Sequence, residues 1–216
     1  MKHFYKALIT LLTITCNAQY YQSKILFANG QSKEGYTELP TNSLFDSSIK
    51  FQADKNGKAE KIKNDEIEKI VYYTDNGKEY HIERTAIRQF IGKRENTTKK
   101  KAWIHVRFST PEIIFYDQAE KYIINKHGDF ISSTIDYSGT WADIALLFKR
   151  PGEVVPTILG SLSNGAIIIN KERTFRTTAI LYFKGEESII KRIESKEFKS
   201  EDMLELAKAY IEHKRE

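Results

Sequence analysis

The sequence is poor in cysteine: its 216 residues include only one, Cys16. A chain with a single cysteine cannot form an internal disulfide, so its stability must come from an ordinary apolar core. The length is sufficient to bury such a core. At roughly 100 to 200 residues per domain, it indicates one domain, or one domain with a smaller appendage.

The sequence also lacks an apolar run long enough to span a membrane. The uncharged stretch from Ala7 to Thr15 has about half of the roughly 20 residues that a membrane-spanning helix requires. Lys2 and Lys6 precede this stretch, and small or polar residues follow it. A basic, an apolar and a small-residue segment in that order are typical of a secretory signal peptide. Residues 1–18 are therefore predicted to be a signal peptide, and no transmembrane helix is expected after its removal.

Cys16 opens a small-residue triplet, CNA, that ends at Ala18. This pattern predicts cleavage after Ala18, with Gln19 as the new amino terminus. Two alternatives stay open: Cys16 is lipidated as the first mature residue, or the segment is a buried first strand or helix, since no charge interrupts positions 7–22. Thr15 precedes Cys16, where lipoprotein processing favours Gly or Ala, so the sequence favours cleavage after Ala18. The predicted location is periplasmic or secreted.

The charge of the chain is nearly balanced. The formal net charge is +5, and removal of the two lysines in the predicted signal peptide leaves +3 on residues 19–216. The densest basic run extends from Lys93 to Lys101, but Glu95 interrupts it and no aromatic residue lies among the lysines. Nucleic-acid binding usually shows as a basic stripe. The run is therefore interpreted as a solvated loop between two strands, with a polyanion site as the alternative, and no nucleic-acid partner is predicted.

The common sequence signatures of catalysis and metal binding are absent. Beyond residue 18 the histidines have no HExxH or HxH spacing: His81, His105, His127 and His213. The phosphate-binding patterns GxxxxGK[ST] and GxGxxG do not occur. In "GSLSNG", Gly160 and Gly165 are one position too far apart around Ser163 for a nucleophile elbow. No catalytic, cofactor-binding or metal-binding residue is therefore assigned, and no cofactor is predicted.

Three weaker patterns are interpreted as structural. "DKNGKAE" and "TDNGKE" are similar to the start of a calcium loop, but a lysine follows the glycine in both, and a hairpin turn explains them. Neighbouring carboxylates such as Asp117 and Glu120 are expected by chance among 29 acidic residues. Trp103, Trp141 and the Tyr-rich strands offer a surface for carbohydrate stacking, but aromatic residues on strands more often belong to the core.

Short runs of β-favouring residues, bounded by Gly, Asn and Asp, characterise residues 19–150. Residues 51–62 and 71–82 align with Asn-Gly in equivalent positions, which predicts two hairpins with type I′ turns. "KNDEIEKIVYY" predicts one helical turn, capped by Asn64 or Asp65, and then a strand from about Glu68, with one continuous short helix as the alternative. "TAIRQFIGKR" is ambiguous between strand and irregular structure.

The segment "AWIHVRFS" alternates in character along a predicted strand. The period of two predicts one face made of Ile104, Val106 and Phe108. It predicts an opposite face made of Trp103, His105 and Arg107. The following "EIIFYDQ" and "EKYIINKHGD" predict a further antiparallel meander.

Helical periodicity replaces the strand pattern in the last sixty residues, after the Pro151-Gly152 turn. Apolar stripes predict helices in "NKERTFRTTAILYF", "EESIIKRIESKEF" and "KSEDMLELAKAYIEHK". In the last of these, Ser200 is predicted to be the N-cap, and the stripe comprises Met203, Ala207, Tyr210 and Ile211. This tail is expected to pack on the sheet.

Several phrases together resemble a loose group of uncharacterised exported proteins of Bacteroidetes bacteria. They are the signal ending "NAQ", "GQSKEGYTEL", "SSIKFQ", "DEIEKIVYYTDNGKEYHI", "ALLFKRPGEVVPTILG" and "ILYFKGEESIIKRIESKEFKSEDMLELAKAYIEHK". The resemblance implies export and a β-rich body with a helical tail. The group has no activity to carry over, so no functional residue is transferred.

The sequence as a whole predicts an α+β fold, with an antiparallel sheet or small open barrel of about eight to ten strands. A signal peptide (1–18) precedes a β-rich domain (19–150), and a loop with a C-terminal helical segment (151–216) packs on the sheet. The favoured function is a non-catalytic envelope protein that binds a protein, glycan or lipid. The alternatives are a periplasmic or secreted hydrolase acting on a polymer, and an adaptor that docks through its C-terminal helix.

Overall fold

A computed structural model describes residues 19–43, 46–133, 135, 143–162 and 170–215. The described chain forms fourteen strands: β1 (Tyr21–Phe27), β2 (Ser32–Thr37), β3 (Ser48–Gln52), β4 (Glu60–Lys63), β5 (Ile67–Tyr73), β6 (Glu79–Thr85), β7 (Arg88–Ile91), β8 (Arg94–Thr97), β9 (Ala102–Ser109), β10 (Ile114–Gln118), β11 (Lys121–Ile124), β12 (Phe130–Ser133), β13 (Ile144–Lys149) and β14 (Thr157–Leu162). The helices are α1 (Lys171–Tyr182), α2 (Glu187–Glu194) and α3 (Met203–Arg215). The predicted signal peptide lies outside the described residues.

Twelve of these strands form one open sheet, in the order β4-β3-β2-β1-β5-β6-β9-β10-β13-β14-β7-β8. Its neighbours pair antiparallel except β14 and β7, which pair in parallel. Only Ala86 and Ile87 separate β6 from β7 in the chain, yet the two strands lie five places apart in the sheet. The sheet must therefore curl to bring them together. Strands β11 and β12 form a separate hairpin.

The α+β class, the large antiparallel sheet and the C-terminal helical segment are confirmed, but the strands are more numerous than the eight to ten expected. Five strands, β4, β7, β8, β11 and β12, have only four residues each. A run of four residues is too short for its alternation to be distinguished from a loop. The sheet also continues past residue 150, because β14 lies within the segment for which the sequence predicted loop and helix.

Both predicted hairpins form, β3 with β4 and β5 with β6, but their turns are not type I′. A type I′ turn requires positive φ at both central residues. Among the described non-glycine residues only Asn170 and Lys196 have positive φ, so Asn76 does not. Gly77 has φ +78° and its N–H donates to the carbonyl of Thr74 at 2.9 Å. The β5–β6 connection is therefore a type I turn closed by a left-handed glycine, the three-residue alternative for hairpins.

Strand β9 follows the predicted alternation only as far as Val106. Ile104 and Val106 lie together on one face, and Trp103 lies on the other. Phe108 joins the Trp103 face instead of the Ile104 face. The pairing with β10 moves from Val106 directly to Phe108, which leaves Arg107 as the extra residue of a β-bulge. One extra residue reverses the alternation beyond it, which is the physical reason for the difference.

The two faces of the sheet bury two separate apolar clusters. The larger cluster joins the sheet to the helices and to the β11–β12 hairpin, and includes Ile25, Phe51, Trp103, Phe148, Phe183 and Leu206. The smaller cluster contains Ile87, Ile104, Tyr116 and Leu147 on the opposite face. Because β9 contributes to both, the centre of the sheet is covered on both sides.

The connection to α3 differs from the predicted capping by Ser200. The helix begins at Met203, and the N–H of Leu206 donates to the carbonyl of Asp202 at 3.0 Å. The backbone N–H of Ser200 instead donates to the Glu172 carboxylate of α1 at 3.1 Å. This bond holds residue 200 at α1, too early in the chain to cap a helix that begins at Met203.

Strand β2 contains a glycine that the packing requires. A Cβ atom at Gly35 would lie 2.4 Å from the carbonyl oxygen of Gln52 and 2.5 Å from the Phe51 ring. Both contacts are well inside van der Waals distance, and the first is to backbone. We expect Gly35→Ala to destabilise the protein by about 3 kcal/mol, since overpacking of this kind displaces strands. A Cβ atom at Gly77 would meet open space, but the residue has positive φ. Gly77→Ala should therefore lower the free energy of unfolding in urea by about 1 kcal/mol. Equal losses would contradict the steric explanation.

Candidate functional site

The histidines singled out from the sequence lie on four different elements, of which only β6 and β9 are neighbouring strands. His81 lies on β6, His105 on β9, His127 in the β11–β12 turn and His213 on α3. Across the residues that the structure describes, no group of three His, Cys, Asp or Glu side chains could hold a metal ion. Of the "GSLSNG" motif, Gly160 belongs to β14, and residues 163–165 lie outside the described residues.

The lysine run occupies the connection between β8 and β9, and residues 99–101 are exposed. The interpretation as a solvated loop between two strands holds for residues 99–101, whereas residues 94–97 of the run form strand β8. The run borders a cavity of about 740 Å³ that also includes Arg84 and Asp65. Arg84 donates to the Asp65 carboxylate at 2.8 Å, and this hydrogen bond lowers the pKa of Asp65. The arginine charge of this cavity is therefore already paired within the protein.

The interpretation of Trp103 as a core residue, and not as part of a surface for carbohydrate stacking, is confirmed, because this side chain is fully buried. Asn42 fixes its backbone: the Asn42 amide accepts the Trp103 N–H at 2.8 Å and donates to the Trp103 carbonyl at 2.8 Å. The Arg84 guanidinium lies over the indole, 5.4 Å from the ring centroid. Trp141 lies outside the described residues. Trp103 is thus a core residue, and its indole face is not available to a ligand.

A polar cluster that the sequence did not indicate lies beneath the β11–β12 hairpin. Its centre is Asp117 of β10, which is 1% exposed. The Ser132 hydroxyl donates to Asp117 Oδ1 at 2.6 Å, and Arg107 donates to Oδ2 at 3.0 Å. His105 Nδ1 lies 3.4 Å from Oδ1, without hydrogen-bond geometry. The His105 ring packs on Phe130 with 4.3 Å between centroids.

This Asp117 cluster contains serine, aspartate and histidine, but its order does not suit nucleophilic catalysis. In a catalytic triad the histidine lies between the serine and the aspartate and accepts the serine proton. Here Asp117 lies between Ser132 and His105, so Ser132 donates to a carboxylate. Asp117 and His105 are buried, Ser132 is partly buried, and the Arg107 side chain is half exposed. The arrangement fastens the hairpin to the sheet.

The other end of the hairpin is fastened by the β5–β6 turn. Asn76 Nδ2 donates to the carbonyl of His127 at 2.8 Å, and Lys78 donates to Asp129 at 2.5 Å. The Tyr80 hydroxyl donates to the carbonyl of Gly128 at 2.9 Å. The Asn-Gly turn at 76–77 therefore binds another turn of the same chain, and its interpretation as a hairpin turn is confirmed.

A cavity of about 670 Å³ lies between β11 and the β1–β4 part of the sheet. We call it the sheet cavity. Its walls include Tyr21, Ile49, Asn64, Trp103, Tyr122 and Ile124. The volume is within the range of about 300 to 1,000 Å³ that is typical of small-ligand sites.

The aromatic residues of the sheet cavity are held neutral and fixed. Burial raises the pKa of Tyr122, whose hydroxyl donates to the carbonyl of Trp103 at 2.8 Å. Burial likewise raises the pKa of Tyr21, which is half buried at the start of β1. The Tyr21 ring meets Tyr72 edge to face, with 6.4 Å between centroids. The cavity therefore has rigid aromatic walls with one partly accessible ring.

The charged groups of the sheet cavity are of both signs and partly engaged with each other. Glu38 accepts the Lys50 backbone N–H at 3.0 Å and lies 3.4 Å from the Lys50 ammonium. Asp46 accepts a hydrogen bond from the Thr41 hydroxyl. Lys61 and Lys121 also line the cavity. Of the described residues in its lining, none is histidine or cysteine.

The interface between sheet and helices contains an ionic cluster around Glu153. Tyr182 of α1 donates to Glu153 Oε2 at 2.8 Å, and Arg150 lies 3.3 Å from Oε1. The Arg150 guanidinium also lies over the Tyr182 ring, 4.4 Å from its centroid. Burial raises the pKa of Tyr182, which keeps the phenol neutral as a donor. The cluster holds α1 on the loop before β14.

The apolar stripe of α3 is buried against the rest of the chain. Met203 and Ala207 have no exposed surface, and Tyr210 is 4% exposed. Docking through this helix would require the stripe to be exposed in the isolated chain. In the described structure the stripe belongs to the core.

The chain was compared with protein-family models, with curated proteins and with solved structures, and none of the three comparisons gave a match. Within the described residues, no helix has both the length and the apolar character needed to cross a membrane.

Proposed function

We propose that this protein is exported and acts as a non-catalytic binding protein of the cell envelope, with the sheet cavity as its ligand site. The observation that carries the proposal is a ligand-sized cavity on the sheet whose two carboxylates, Glu38 and Asp46, already accept hydrogen bonds from the protein. Carboxylates engaged in this way are poorly placed to transfer protons to a substrate. The buried Asp117 cluster, whose order differs from that of a triad, adds no catalytic group to this cavity.

Export is proposed from the order of basic, apolar and small residues in positions 1–18. Gln19, the predicted new amino terminus, borders the sheet cavity. Mass spectrometry of native material from the producing cell should detect a chain that begins at Gln19. A lipid-modified chain that begins at Cys16 would support envelope anchoring instead, and an intact chain that begins at Met1 would contradict export.

The binding proposal can be tested with a signal that reports on the cavity. The chain has two tryptophans, so its ¹H–¹⁵N spectrum contains two indole N–H signals, and Trp103→Phe identifies the one in the cavity. Three ligand classes are titrated: neutral oligosaccharides, phospholipid vesicles and short peptides. We expect one class to shift the Trp103 signal while the ligand is recovered unchanged. A ligand that is cleaved would support the hydrolase alternative, and no shift with any class would overturn the cavity as a ligand site.

A further inference from the structure

We propose that the free edge of β4 binds an extended acidic segment of a partner protein, which adds to the sheet as a further strand beside the sheet cavity. This inference rests on the proposed function and adds the chemical class of the ligand and the place where it binds. The segment alternates acidic and apolar residues, so a synthetic peptide of that pattern can represent it in an experiment.

Strand β4 forms one end of the twelve-stranded sheet and has one unpaired side. Its partner is β3, and no other strand in the described part of the chain pairs with it. Glu60, Lys61 and Lys63 are exposed, so solvent reaches the unpaired side. The edge of a sheet offers free N–H and C=O groups to which another strand can add.

The backbone groups that point outward from β4 belong to Lys61 and Lys63. The Asn64 N–H donates to the carbonyl of Ser47 at 2.9 Å, which continues the register of the β3–β4 pair. Hydrogen-bonded and non-hydrogen-bonded pairs alternate along an antiparallel ladder. Ile62 therefore bonds to β3, whereas Lys61 and Lys63 direct their N–H and C=O groups away from it. The edge presents two donors and two acceptors to a further strand.

The side chains along this edge are basic and not neutralised. Lys61 and Lys63 lie two residues apart, so they share the face opposite the buried Ile62. Within the described residues neither lysine has an ion pair, because Glu60 of the same strand pairs with Lys33. Residues 48–63 contain five lysines and two acids, a formal charge of +3. An acidic strand is therefore favoured here, since opposite charges across a ladder stabilise the pairing.

The same lysines disfavour a second copy of this chain as the occupant of the edge. Antiparallel pairing of two β4 strands about Ile62 would place Lys61 of one copy opposite Lys63 of the other. Like charges in directly opposed positions destabilise a ladder, and lysines on an edge commonly prevent self-association for this reason.

The other end of the sheet, β8, does not offer the same binding groups. The Thr98 N–H donates to the carbonyl of Ile87 at 2.9 Å, so the alternation directs the backbone groups of Glu95 and Thr97 outward. Glu95 is already paired with Arg88 at 3.0 Å. The β8 edge therefore has no lysine at its outward positions, and an acidic strand is specific to β4.

The sheet cavity determines the residues between the acids. Lys61 and Ile49 both line this cavity, and Ile49 is the register partner of Ile62. Both isoleucines belong to the larger apolar cluster, so they share one face. The residue of an added strand that lies opposite Ile62 would occupy that face, beside the cavity. An apolar residue there extends the cluster, and its neighbours oppose Lys61 and Lys63.

The test is an NMR titration with two short synthetic peptides, one alternating glutamate with valine and the other alternating lysine with valine. We expect the glutamate peptide to bind and the lysine peptide not to bind. At saturation the backbone N–H groups of Lys61 and Lys63 should exchange with water about tenfold more slowly, because the added strand accepts or shields them. The N–H of Ile62, which already bonds to β3, is the internal reference.

Two variants at position 63 separate the charge from the backbone donor. Lys63→Gln removes only the charge and should weaken the glutamate peptide about threefold. Lys63→Pro also removes the outward N–H and should weaken binding about fivefold more. Lys63 has φ −66° and ψ 133°, which proline adopts without strain, so the fold should be retained. Lys99→Gln removes an exposed lysine far from β4 in the sheet order and should leave the affinity unchanged.

Thermal melting establishes that each variant is folded before its affinity is compared. Equal affinities of the two position-63 variants, or unchanged exchange at Lys61 and Lys63, would overturn the edge as the place of binding. Equal binding of the two peptides would overturn selection by charge. If neutral oligosaccharides or phospholipid vesicles bind and the glutamate peptide does not, the inference fails while the binding function stands. If none of these ligands binds, both fail.

Discussion

Replacing Leu206 with alanine is expected to destabilise the protein by about 3 kcal/mol, whereas the same replacement at Leu204 should cost less than about 0.5 kcal/mol. Both leucines belong to α3, but Leu206 is fully buried and Leu204 is 41% exposed. Leu206→Ala removes side-chain atoms from the cluster that joins the helices to the sheet. Leu204→Ala leaves that cluster intact, so helix propensity and composition are matched between the two variants.

Thermal unfolding measures the difference directly. In a protein of this size, 1 kcal/mol shifts Tm by roughly 2–4 °C, so Leu206→Ala should lower Tm by roughly 6–12 °C. Urea unfolding should likewise show a larger loss in the free energy of unfolding for Leu206→Ala than for Leu204→Ala. Equal effects at the two positions would mean that α3 does not pack as described. The apolar stripe of the helix would then be available for the docking that the adaptor alternative requires.

The helical tail illustrates what the sequence does determine. The stripe of Met203, Ala207 and Tyr210 follows from the 3.6-residue period, and the structure buries all three. The same holds for the two hairpins and for the turn at 64–66 followed by strand β5. The predicted cap of that turn was wrong, because the residue at the cap position is Lys63 and no side chain caps the turn. These features depend on residues close in the chain, so their signals are present in a local window.

Features that depend on distant residues were not predictable in this way. The bulge at Arg107 arises from pairing with β10, and no local pattern in "AWIHVRFS" marks it. Ser200 is a good N-cap residue in isolation, but the Glu172 carboxylate, 28 positions earlier, binds its N–H. The parallel pairing of β14 with β7 joins Thr157 to Arg88. In each case a tertiary contact overrides a local preference.

The same limit applies to the candidate site. The alternation along β9 predicts that the side chains of Trp103 and His105 lie on the same face of the sheet, so this part of the site was predictable from the sequence. The contact of Asn64 with Asp46 crosses 18 positions, and that of Ser132 with Asp117 crosses 15. Asp117 had been paired by sequence proximity with Glu120, but its partners are Arg107, His105 and Ser132. Charged residues three apart on a strand and its turn need not meet, whereas residues opposed across a ladder do.

Removal of the Asp117 carboxylate is expected to loosen the β11–β12 hairpin. Asp117→Ala should cost about 3 kcal/mol, since it removes a buried carboxylate that accepts hydrogen bonds from Ser132 and Arg107, while half-exposed Arg107 turns to water. Asp117→Asn keeps an acceptor for Ser132 and should lose about half as much. Asp129→Ala is the control: this carboxylate also bonds the hairpin, but its side chain is 48% exposed, so the loss should stay below about 1 kcal/mol.

Urea unfolding gives the three losses, and hydrogen exchange locates them. The amides of β12 should exchange faster in Asp117→Ala, whereas those of β13 should keep their protection, because β13 is held on both sides by β10 and β14. Faster exchange throughout the sheet would show that Asp117 stabilises the core as a whole. Since β11 is one wall of the sheet cavity, Asp117→Ala should also lower the affinity of that cavity for any ligand. Asp129→Ala should lower this affinity less.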